Sequence, residues 1–142
     1  MISASVKKLQ GRLAIILGAP ALAAVGILVL LWSDPIHGPG LLPCFFHGLT
    51  GLYCIGCGAT RALAALLHGD LAAALSYNLF MMIWLPWPAY ALLGEWLRAL
   101  AGRRIIPPIK DTRPLLWALL VSAILFFILR NLPWYPWNWL AP

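Results

Sequence analysis

The chain is built from long uncharged apolar runs separated by short basic stretches or breaks rich in glycine and proline. The first run covers residues 13–32, which carry no charge. About 20 apolar residues are what an α-helix needs to cross a bilayer. Pro20 lies inside it, and transmembrane helices tolerate such a residue. Ala19, Ala21 and Ala23 are small enough for a signal-peptidase site, but the apolar run continues through residues 27–31, past any such cut. Residues 33–58 then change character. Asp34, Pro35, Gly38, Pro39, Gly40 and Pro43 predict an irregular loop, with His37 as one of its polar members.

Residues 59–68, mostly alanine and leucine, predict a short helix. At about 1.5 Å per residue it cannot span a bilayer and would lie at the interface or partly inserted. Gly69 and Asp70 end it, with Asp70 placed to cap the next helix. The second long run, 71–97, exceeds the minimum span, and Pro86 and Pro88 predict a kink within it. A basic loop, 98–113, leads to a third run at 115–130. The tail, 131–142, mixes Trp134, Tyr135, Trp137 and Trp139 with prolines and suits a membrane interface. The reading is a single all-α, multi-pass membrane domain of about three transmembrane helices plus one short interfacial or partly inserted helix.

Composition supports this. Of 142 residues, 63% are hydrophobic and 10% charged, against about 25% charged in an average soluble domain. A soluble chain this short could not bury so much apolar surface. The formal charge of +6 would suggest nucleic acid in a soluble protein. Here the basic residues flank the apolar runs, so they read as topology signals and contacts with the lipid bilayer, and no nucleic acid is expected. Of ten basic residues, Lys7, Lys8, Arg12, Arg98, Arg103, Arg104, Lys110 and Arg113 fall on one side if there are three spans. The positive-inside rule then puts the N-terminus in the cytoplasm and the cysteine-bearing loop outside.

The three cysteines form a pattern: Cys44-Phe45-Phe46-His47, then Cys54-Ile55-Gly56-Cys57-Gly58. Each pair is spaced so that two ligands can face one ion, and Cys44, His47, Cys54 and Cys57 would make a four-ligand zinc set. The link between the pairs is shorter than in most structural zinc sites. The same residues permit a redox reading. Cys57 stands where a helix would begin, which favours its thiolate, and Cys54 with Cys57 would form a dithiol pair. No βαβ pattern accompanies them. The third reading is a structural clip or partner-docking element.

Three polar residues fall at or near membrane depth. Arg61 needs a partner there, and Asp70 is a candidate across the turn. Asn78 needs a hydrogen-bond partner within the bundle. His68 reads as an exposed turn residue, and Glu95 as a residue near water at a helix end.

The stretch from Cys44 to Arg61, followed by Gly69-Asp70 and Asn78, resembles an uncharacterised bacterial membrane-protein family, domain of unknown function 2752. That family's pattern is a first Cys, Thr-Gly, Cys-Pro-Gly-Cys-Gly, a variable residue, Thr-Arg, Gly-Asp and Asn-Pro. The resemblance puts its signature on Cys44, Thr50, Gly51, Cys54, Gly56, Cys57, Gly58, Thr60, Arg61, Gly69, Asp70 and Asn78, about a quarter of the chain. Ile55 replaces the proline of the cysteine turn, and Leu79 replaces the proline after Asn78, so a helix break is less expected there. His47 is not a fixed position of the family. The resemblance implies a bacterial inner (plasma) membrane location and names no activity.

The function expected from the sequence is therefore that of a small membrane protein whose cysteine motif is a structural clip or docks a partner, either a second copy or another membrane protein. Zinc binding and thiol oxidoreduction are the alternatives. No phosphate-binding loop, zinc-protease helix, nucleophile elbow or carboxylate pair is present, which argues against an enzyme.

Overall fold

A computed structural model describes residues 2–36, 38 and 44–133, with backbone only for residues 2–8. His37 and the aromatic tail from Trp134 onward lie outside the described residues. Among those described, the chain forms helices and no strands: α1 (Ile2–Ser33), α2 (Phe45–Thr50), α3 (Ala59–Leu67), α4 (Leu71–Tyr77), α5 (Leu79–Trp84), α6 (Pro86–Ala101) and α7 (Arg113–Arg130). They divide into two compact units. The first comprises residues 1–28 and 86–110, the second residues 29–85 and 111–142.

Among the described residues two helices are long and apolar enough to cross a membrane, Leu9–Ser33 of α1 and Arg113–Arg130. Along α1 the large side chains Leu17, Leu22, Val25 and Leu28 are all exposed rather than packed on other parts of the chain. The third expected span does not form as one helix. Residues 71–97 are divided among α4, α5 and α6. One break is at Asn78, with φ −158° and ψ 88°, outside the helical region. Its side-chain oxygen accepts from the Met81 amide and so starts α5. The break therefore does not need the proline that this sequence lacks at position 79. The other interruption, at Leu85, precedes Pro86 and Pro88. Neither proline can donate to the preceding turn, yet Leu85 keeps helical dihedrals (φ −55°, ψ −39°), so α5 and α6 are consecutive helical segments interrupted where the prolines lie.

The loop expected over 33–58 contains a helix, α2. Gly51 ends it at φ 72°, its amide donating to the His47 carbonyl. Thr50 Oγ1 donates to the Phe46 carbonyl and accepts from the Leu52 amide, closing the same turn. A run of small residues governs the middle of the second unit. Ala62, Ala64 and Ala65 of α3 and Ala74 of α4 are buried, and residues this small let two helix backbones approach closely. The turn between them is a Schellman motif. The Gly69 amide donates to the Leu66 carbonyl and the Asp70 amide to that of Ala65, with Gly69 at φ 80°. Asp70 then accepts from the Ala73 amide and caps α4.

Against α7 the second unit packs aromatics. Phe80 stacks on Phe126 with ring centroids 5.6 Å apart, and Phe46 meets Phe127 edge-on at 5.9 Å. Trp84 Nε1 donates to Ser122 Oγ. In the first unit, the Arg12 guanidinium donates through Nε and Nη2 to the Ala99 carbonyl, and Trp96 Nε1 donates to that of Ile16.

Leu79 is the first residue of α5, where an amide has no intrahelical partner. Replacing it with proline should leave the unfolding midpoint in detergent nearly unchanged. Asn78→Ala removes the cap and two further hydrogen bonds and should cost about 2 kcal/mol. A Leu79→Pro variant less stable than Asn78→Ala would show that the break is not set by Asn78.

Candidate metal centre

The site is built on a tight turn. The Cys57 amide donates to the Cys54 carbonyl at 3.2 Å, and the Ala59 amide to that of Gly56 at 3.0 Å. Gly58 sits at φ 81°, which a side chain would strain, and passes the chain into α3. This turn brings Cys54 Sγ to 3.3 Å from Cys57 Sγ. Cys44, immediately before α2, places its sulfur 3.4 Å from that of Cys54. All three sulfurs lie within 4.8 Å of one another. They are free thiols, well beyond the roughly 2.05 Å of a disulfide.

The backbone of this turn is held from behind by three polar side chains. Asn78 Nδ2 donates to the carbonyls of Ile55 and Cys57 at 2.9 and 3.1 Å. Arg130 Nη1 donates to those of Cys54 and Cys57 at 2.8 and 3.2 Å, and Nη2 to Cys57 at 3.3 Å. Asn131 brackets Tyr53, accepting from its amide and donating to its carbonyl. Asn78 and Arg130 are each only 1% exposed. A buried cation is costly unless compensated, yet Arg130 makes no ion pair with a carboxylate among the described residues. Its guanidinium lies over the Tyr53 and Phe126 rings, at 5.6 and 4.8 Å from their centroids. The ionisable groups that interact with it are Cys57, Cys54, Tyr53 and Cys44.

Cys44 and Cys57 differ electrostatically. The backbone amides at the start of α2, that of His47 first, favour the Cys44 thiolate, as do the thiols of Cys57 and Cys54. They lower its pKa from 9.0 to about 7. Burial pushes the Cys57 thiol up to about 12, and the neighbouring sulfurs of Cys44 and Cys54 add to the rise. The sequence placed the helix-favoured thiolate at Cys57. The position is instead that of Cys44, because Cys57 lies before Gly58 in a buried turn.

His47 is not brought to the sulfurs. Its ring stacks on Tyr53 at 4.5 Å between centroids and 12° between planes, and its buried Nδ1 has no hydrogen-bond partner. Arg61 does not take Asp70 as its partner. Arg61 Nε donates to the carbonyl of the buried Pro35, while Asp70 serves as a helix cap. Thr60 lies in the first turn of α3, and Gly56 faces Cys54 Sγ, which an added Cβ would meet at 3.8 Å. His68 and Asp70 border a separate cavity of about 440 Å³ with Asp34 and Tyr77. The residue that sequence reasoning missed is Arg130. It reads as the basic end of an apolar helix, and nothing local to it points to a turn 73 residues away.

In metal-free protein, Cys44 should be alkylated fastest. Its rate should rise through about pH 7 and level off above it, because the thiolate is the nucleophile and acid removes it. Cys57 should stay slow up to about pH 10. Pulsed alkylation read by peptide mass would check this order, and Cys57 reacting first would contradict the burial described.

No curated protein and no solved structure matches the chain. Residues 44–92, which hold all three cysteines, Asn78 and the α3–α4 turn, match the family described as protein of unknown function (DUF2752).

Proposed function

We propose that this is a multi-pass membrane protein that binds one thiophilic divalent metal ion, zinc being the simplest case, through Cys44, Cys54 and Cys57. The convergence of three free sulfurs within 4.8 Å carries the reading. Sulfurs around a tetrahedral zinc, at about 2.3 Å from the metal, stand about 3.8 Å apart. The 3.3 and 3.4 Å separations need only a few tenths of an ångström of expansion to admit an ion. Charge supports it too. Three thiolates and a divalent ion leave one negative charge, which the buried Arg130 guanidinium balances. Three protein ligands leave a fourth position for water or an exogenous ligand, the arrangement of an open site rather than a closed structural one.

The membrane placement rests on α1 and α7 and on the exposure of apolar side chains along α1, which water would penalise. The hydrogen bond from Arg12 to Ala99 brings the chain back by residue 99 to the part of α1 that precedes its uncharged run. That return supports α4–α6 as a broken middle passage, three passages in all; the basic residues at 7–12 and 98–113 then favour a cytoplasmic N-terminus, and the family resemblance a bacterial plasma membrane. A broken helix at membrane depth is tolerated where protein groups satisfy its backbone, as Asn78 does here.

Elemental analysis and intact mass on full-length protein, purified in detergent without reductant, test the metal. The expected result is one zinc per chain with three thiols that alkylate only after chelation. Cys54→Ser, checked for unchanged helicity by circular dichroism, should lose the ion. A Cys44–Cys54 or Cys54–Cys57 disulfide with no metal would overturn the proposal in favour of a structural or redox cysteine pair.

A further inference from the structure

The geometry of the first unit points to a second site, for the phosphate group of an anionic phospholipid, formed by Arg12, Arg98, Arg103 and Arg104. These four arginines line one cavity of about 490 Å³ together with Ile15 and Gly102, and no acidic residue lines it. Arg12 is fixed in place. Nε and Nη2 donate to the Ala99 carbonyl, which leaves Nη1 uncommitted. Gly102, at φ 71°, turns the chain out of α6 beside that guanidinium. A Cβ there would stand 3.5 Å from Arg12 Nη2. The turn delivers Arg103 and Arg104, both exposed and without an ion pair among the described residues. Arg98 is paired with Glu95, three residues earlier on α6, and keeps the rest of its guanidinium for the cavity.

The position of the cavity selects a lipid over a soluble anion. Arg12 is the last charged residue before the uncharged 13–32 run, and Arg98 is the first basic residue after the 71–97 stretch. The bond from Arg12 to Ala99 holds these two boundaries at one level, where the headgroup phosphates of a bilayer would lie. Ile15, one turn further along α1, supplies an apolar wall on the side where an acyl chain would run. A positive-inside signal requires basic residues on one side but no shared cavity, so topology alone does not account for four arginines around one space.

This inference rests on the membrane placement proposed above, which extraction with alkaline carbonate reports independently. The site is tested by native mass spectrometry of the detergent-solubilised full chain, titrated with phosphatidylglycerol, phosphatidylcholine or inorganic phosphate. Phosphatidylglycerol should bind more tightly than phosphatidylcholine, with millimolar inorganic phosphate failing to displace it. The double change Arg103→Gln/Arg104→Gln should weaken phosphatidylglycerol about 25-fold, at roughly fivefold per basic residue. Lys110→Gln/Arg113→Gln, which removes the same charge outside the cavity, should change it less than threefold. Equal losses from the two double variants, or equal binding of the two lipids, would overturn the site as generic surface charge. Saturable phosphate binding that displaces the lipid would overturn the choice of a lipid.

Discussion

The carbonyl oxygen of Cys57 accepts from both Asn78 and Arg130, and much of the second unit is arranged around that convergence. A turn that presents two sulfurs to a third on one side leaves its carbonyls to be satisfied on the other. In a mainly apolar chain few polar groups are available to do it. Asn78 interrupts a helix to supply its amide, and the same side chain starts the next helix. Arg130 and Asn131 end α7 at the turn, reaching its backbone from the opposite end of the sequence. The helix break at Asn78 and the end of α7 both serve to hold this turn.

The arginine has a second consequence. A guanidinium in such a place could satisfy carbonyls as a neutral amide would, but it also brings a permanent positive charge. That charge favours any anionic form of the sulfurs beside it, so the turn is polarised toward thiolate chemistry. Burial of Cys57 opposes this and the amides near Cys44 reinforce it. Cysteines that look equivalent in the sequence are thus set apart, Cys44 open to activation and Cys57 shielded.

Local features were legible in the sequence to the extent that their causes are local. The alanine and leucine run that forms α3, the Gly69-Asp70 turn and the cap by Asp70 depend on neighbours within a few residues. The C-x-x-C spacing indicated that Cys54 and Cys57 could share an ion. The helix break at Asn78 was not legible, because its cause is a pair of carbonyls more than twenty residues upstream and not a proline. His47 was legible as a ligand by spacing alone, but its stacking on Tyr53 removes it from the sulfurs. The different fate of Cys57 depends on burial, which no spacing records. Arg130 was invisible as a site residue because an arginine after an apolar run has an ordinary explanation.

The distance between Cys57 and Arg130 also bears on the order of assembly. The family-matched segment ends at residue 92, so the arginine that braces its cysteines is supplied by chain made afterwards. At about 5–20 residues per second, the 73 intervening residues occupy roughly 4–15 seconds of synthesis. During that interval the turn exists without its brace. The full set of hydrogen bonds behind the sulfurs is therefore completed only once the end of α7 has been made.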